Sequence, residues 1–114
     1  MVSYDAELAE RFQRLLAGVE NVTSKRMMGG VCFFLNGNMV GGADRSKAGE
    51  RRFMFRVGKE NEAHATALTG GEPVVHGGRR LGGFYFVDAD RNSGETVEDW
   101  AALAVSHARG LPPK

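Results

Sequence analysis

Tyr4, Leu8, Phe12, Leu15 and Leu16 recur at spacings of three and four residues, which predicts an amphipathic helix over residues 4–17. Ser3 or Asp5 can cap its start and Gly18 can end it. The period then shortens. Residues 22–28 read as extended, Gly29-Gly30 interrupts them as a bulge or tight bend, and Val31-Cys32-Phe33-Phe34-Leu35 is an unbroken apolar run. Asn36-Gly37-Asn38 followed by Met39-Val40 is a β-hairpin signature. A charged stretch from Gly42 to Arg52 reads as a polar loop, and Phe53-Met54-Phe55-Arg56-Val57 as a further strand. Residues 59–68 suggest a short helix closed by Gly70-Gly71. Pro73-Val74-Val75-His76 is a short edge segment, and Phe84-Tyr85-Phe86-Val87 is another strand after a glycine-rich stretch. Val97, Trp100, Ala101, Ala104 and Ala108 form one stripe of a last helix over 97–109, with Thr96 as its cap and Pro112-Pro113 beyond its end.

This order predicts an α+β fold: a two-layer sandwich of a mostly antiparallel sheet of about five strands, with helices on one face. Side chains alternate across a strand, so Phe53, Phe55 and Val57 are expected to face the helices, together with Phe84 and Phe86. Met54, Tyr85, Val87 and one of the pairs Cys32/Phe34 or Val31/Phe33 are then left on the opposite face. That is more apolar surface than a solvated face ordinarily carries, so loops, a second copy of the chain or a partner must cover it. Phe34, Met54, Tyr85 and Val87 are the candidate interaction face.

With 114 residues the chain reads as one domain, residues 1–114, without internal repeat or linker. No apolar run is long enough to span a membrane, and the first residues lack the basic and apolar regions of a signal peptide. Cys32 is the only cysteine, so an internal disulfide is excluded and a reducing, cytoplasmic setting is expected. The net charge of +1 is unevenly spread: residues 22–80 hold ten Lys or Arg against five Asp or Glu, while both ends are acidic. That asymmetry points to an acidic partner for the middle segment.

The segment Arg26-Met27-Met28-Gly29-Gly30-Val31-Cys32-Phe33-Phe34-Leu35-Asn36-Gly37-Asn38-Met39 resembles the N-terminal domain of the TfoX/Sxy family. Members of that family tend to read Met-Phe-Gly-Gly, then an apolar strand, then Asn-Gly-x-Met. Phe55-Arg56-Val57-Gly58, Leu81-Gly82-Gly83-Phe84-Tyr85-Phe86-Val87 and the ending Ala108-Arg109-Gly110-Leu111-Pro112-Pro113-Lys114 resemble further family segments in the same order. The resemblance implies a fold similar to secretion-chaperone-like domains. It implies no catalytic residues. Named members regulate transformation competence and carry a second, C-terminal domain; this sequence reads as the first domain standing alone.

Lys25, Arg26, Arg45, Lys47, Arg51, Arg52, Arg79 and Arg80 are candidates for contacting nucleic-acid phosphates, against an ordinary solvated loop and charge-protected sheet edges. Asp88-Ala89-Asp90-Arg91-Asn92-Ser93-Gly94 imitates a calcium loop, but Ser93 occupies the position that needs glycine and a strand precedes it, so a turn is the better reading. The glycine pairs fit neither phosphate-loop pattern and read as bends. Cys32 sits mid-strand with no histidine near it in sequence, and His64, His76 and His107 lack metal-ligand spacing. No nucleophile is paired with a base. The expectation is therefore a non-catalytic binding or regulatory module without cofactor. It would act through a protein partner or as a homodimer, with nucleic acid as the alternative partner, a small-ligand binder or enzyme as the weakest reading, and no membrane association.

Overall fold

A computed structural model describes residues 4–27 and 29–114. Ser3, the alternative helix cap, and Met28, within the family-like segment, lie outside the described residues. The chain runs α1 (Ala6–Leu15), β1 (Val22–Met27), β2 (Gly30–Leu35), β3 (Asn38–Arg45), β4 (Arg51–Arg56), a 3-10 turn (Lys59–Asn61), α2 (Glu62–Ala67), β5 (Gly71–His76), β6 (Arg79–Asp88) and α3 (Gly94–Arg109). The strands form one antiparallel sheet in the order β1-β2-β3-β4-β6-β5. The fold is α+β, as the periodicity predicts, with six strands rather than about five.

Asp5 caps α1, its carboxylate accepting from the Leu8 N–H at 3.0 Å, and Gly18 follows the helix with φ of +83°. Ser93 caps α3 by accepting from the Thr96 N–H at 3.1 Å, so the helix begins three residues before the position the apolar stripe suggests. The stripe marks only where the helix first becomes buried; the exposed first turn carries no apolar signal. The region from Gly42 to Arg52 is likewise mostly strand. β3 extends to Arg45 and β4 starts at Arg51, because Asp44–Arg52 and Arg45–Arg51 continue the ladder with charged side chains. The connection is closed by Ser46, whose hydroxyl accepts from the N–H groups of Ala48 and Glu50.

α1 and α3 cover one face of the sheet. Phe12 of α1 enters a cup of rings there, stacked on Phe33 with centroids 4.8 Å apart, on Phe55 at 5.4 Å and edge-on to Phe53 at 5.8 Å. The floor of the cup is Gly41. A β-carbon at that position would come within 3.1 Å of Phe12 Cζ and closer still to the Met54 carbonyl oxygen. The register between β2 and β3 slips beside it, between Phe33 and Phe34, and Val40 is the extra residue, fully buried in the core. From α3, Trp100 lies on Gly71 and Tyr85, and its indole N–H donates to the Thr69 carbonyl at 2.8 Å. Buried Asn38 donates to the Pro112 carbonyl at 3.0 Å, which ties the C-terminal residues to the β2–β3 turn.

The phase of β6 differs from the expected one. Tyr85 pairs with Phe55 and Val87 with Phe53, so Tyr85 and Val87 share the helix face and are buried, 3% and 0% exposed. Phe84 and Phe86 take the opposite face. Alternation specifies that neighbours point apart but not which set points inward; register decides that.

Replacing Phe12 with alanine is expected to cost about 3–5 kcal/mol, the range for a large aromatic removed from a close-packed core. Urea unfolding of the two proteins, compared at unchanged slope, measures it.

Candidate functional site

The helix-free face carries the main candidate. One row across the sheet on this face is Lys25, Cys32, Gly42, Met54, Phe86 and Glu72, in register from strand to strand. Gly42 has no side chain, and neither does nearby Gly30 on β2, so the centre of the face is sunk. The β5–β6 hairpin bounds the depression. Its ladder slips between Pro73 and Val75, and Gly83 adopts φ of +79°, a conformation costly for any residue with a β-carbon. The distal hairpin thereby brings Val74, Val75 and Leu81 to the same concavity as Met27, Cys32 and Met54. The resulting groove encloses about 440 Å³ and is lined mainly by apolar atoms. Val74 is buried, whereas Val75 and Leu81 remain exposed at 60% and 38%. Two other concavities, of about 350 and 340 Å³, follow the seam between α1 and α3 and are rimmed by Arg11, Arg14, Glu98 and Arg109. They are the ordinary valley between two surface helices.

The hairpin is stapled at its base. Glu62 of α2 accepts from the Gly83 N–H at 2.9 Å, pairs with Arg80 at 3.0 Å and lies 3.5 Å from the Tyr85 hydroxyl. The Val57 N–H donates to the Gly83 carbonyl at 2.8 Å. The 3-10 turn beneath is held by His107, whose Nδ1 donates to Glu60 Oε2 at 2.6 Å. The backbone N–H of Glu60 itself, and then His107, hold the Glu60 carboxyl below its ordinary range. His107 Nε2 is buried with no hydrogen-bond partner among the described residues. Nothing in the local sequence marked Glu62; its role follows from α2 passing beside the Gly83 bend.

Of the four residues expected on an interaction face, Met54 lines the groove and Phe34 lies half-buried on the same side but outside it. Tyr85 and Val87 belong to the core. Val74, Leu81 and Phe86 were missed as lining residues, although Val74-Val75 in a glycine-rich setting was a visible signal. Cys32 is buried at the groove floor, and burial first, with the Asp44 charge second, pushes its thiol up. It is therefore a poor nucleophile.

The basic candidates do not converge on one open surface. Arg45 and Arg51 both donate to Asp5, at 2.9 and 3.1 Å; Arg51 also pairs with Glu7 and, at 3.0 Å, with Asp90. Arg52 pairs with Asp44 at 2.7 Å and lies 3.8 Å over the Phe86 ring. Arg80 is taken by Glu62. Lys25 and Arg26 lie on exposed β1, Lys47 in the β3–β4 turn and Arg79 at the hairpin tip. The Asp88 carboxylate is engaged in a local turn, accepting from the N–H groups of Asp90 and Arg91 at 2.9 Å. No group of three metal-ligating His, Cys, Asp or Glu side chains occurs among the described residues. No described helix is long and apolar enough to cross a membrane.

The TfoX N-terminal domain family matches residues 14–108, most of the chain, and the chain belongs to that family. No curated protein and no solved structure matches it.

Asp5 gives a pH-dependent handle on the fold. Burial raises its carboxyl, but the Leu8 N–H and the Arg51 and Arg45 guanidiniums outweigh that, and the net direction is down. A lowered folded value means its stabilisation is complete above the ordinary value of 3.8 and fades as pH falls through the folded one. Asp5→Ala is expected to cost about 1–2 kcal/mol near neutral pH. The deficit should shrink as pH drops below about 4, measured by urea unfolding across a pH series.

Proposed function

We propose that this domain is a non-catalytic regulatory module that binds a protein partner by taking up its apolar side chains in the groove between the sheet and the β5–β6 hairpin. The supporting observation is the groove itself. It is a concavity with few polar groups, floored by two glycines, on a face that neither long helix covers. Its volume lies within the roughly 300–1,000 Å³ of ordinary binding clefts. Two methionines, Met27 and Met54, supply the adaptable lining found at surfaces that accept varied apolar groups. A family role in competence or transcription would run through this protein contact.

The test is peptide selection from a displayed random library on the wild-type domain and on Met54→Lys, a change at a half-buried groove position that is expected to bring a charge into the apolar lining. Selected peptides are expected to share an apolar anchor and to bind Met54→Lys at least about tenfold more weakly, a loss of about 1.4 kcal/mol. Thermal unfolding should stay close to wild type. No enrichment, or peptides held equally by both proteins, would count against the groove.

A further inference from the structure

The two edges of the sheet are unlike. β5 carries Pro73, which has no N–H to donate, and its ladder is broken at the slip between Pro73 and Val75. β1 contains neither proline nor glycine and pairs with β2 without a break from Val22 to Met27. Among the described residues nothing pairs with its outer side. Thr23, Ser24, Lys25 and Arg26 are all exposed on it. Lys25 and Arg26 make no ion pair among the described residues, whereas Arg45, Arg51, Arg52 and Arg80 all do. Arg26 lies 3.8 Å over the Tyr4 ring, which holds its guanidinium beside the edge.

From this we infer that β1 is a docking edge for an extended acidic segment of another protein, added as a seventh antiparallel or parallel strand. The charges choose the occupant. A second copy pairing edge to edge would bring two Lys25 and two Arg26 side chains onto one strand pair, and like charges across strands are destabilising. An acidic strand places carboxylates against the same side chains while its backbone satisfies the open row of N–H and carbonyl groups. Lys25 lies on the groove side of the sheet and Arg26 on the helix side, so alternate acidic residues on both faces of the strand find a partner. This contact is separate from the groove and stands without it.

The experiment uses the full chain and a labelled peptide, acetyl-Thr-Glu-Glu-Val-Glu-Glu-Thr-amide, whose adjacent Glu pairs point to both faces of a strand, followed by fluorescence anisotropy at low and physiological salt. Its all-lysine counterpart and versions N-methylated on alternate residues, one for each set, serve as comparisons. The acidic peptide is expected to bind, more weakly as salt rises. The lysine peptide should not bind, and one N-methylated version should lose binding because it cannot donate to β1. Lys25→Glu/Arg26→Glu, two exposed changes, should weaken binding at least about tenfold. Met54→Lys should leave it unchanged, and amides of residues 22–27 should gain hydrogen-exchange protection on binding. No binding of the acidic peptide overturns the assignment. So does binding indifferent to both N-methylated sets, or binding lost in Met54→Lys, which would place the peptide in the groove instead.

Discussion

One aromatic ring seated in a cup organises this domain. Phe12 is the only residue of α1 that stacks on rings from both β2 and β4, and the seat exists because Gly41 leaves its floor open. The bulge at Val40 belongs to the same arrangement, since it buries Val40 while Gly41 stays beneath the ring of Phe12. With α1 anchored there and α3 laid beside it, the long helices lie on one side of the sheet. Among the described residues only the β5–β6 hairpin borders the other side, and a hairpin is too narrow to fill the space above Gly30 and Gly42. The groove is thus a by-product of how the core is satisfied.

Electrostatics is used for assembly more than for display. Arg51 gathers Asp5 at the start of α1, Glu7 in its first turn and Asp90 in the approach to α3. It joins both helices to β4 at a single guanidinium, which Lys could not reproduce with a point charge. A reversal of charge at this position therefore reads out folding before it reads out any interaction with phosphate. Glu62 has a similar place at the other end of the molecule, fixing the hairpin base through three donors.

Much of this was legible in the residues. The apolar period of α1 and α3, the Asn36-Gly37 turn and the Phe53–Val57 strand carry strong local signals, and the antiparallel class follows from consecutive hairpins. The phase of β6 was not legible. Phe84-Tyr85-Phe86-Val87 offers apolar residues at both parities, and only its register against β4 sends Tyr85 and Val87 inward. The charged ends of β3 and β4 concealed themselves as loop because ion pairs, not apolar alternation, extend that ladder. The groove lay further out of reach. It depends on two glycines being neighbours across strands and on a bend at Gly83, facts of register and backbone that no local pattern states.

The strand order has a kinetic meaning. β1 through β4 form a meander in which each strand pairs with its sequence neighbour, contacts that close early because the intervening loops are short. The β5–β6 hairpin also forms locally, but it joins the sheet along a single seam, β6 against β4, after a helical connection. It is therefore the natural unit of sub-global opening: losing that seam leaves the four-stranded meander and the Phe12 seat intact. Because this unit also walls the groove, any opening of that seam would open the groove with it.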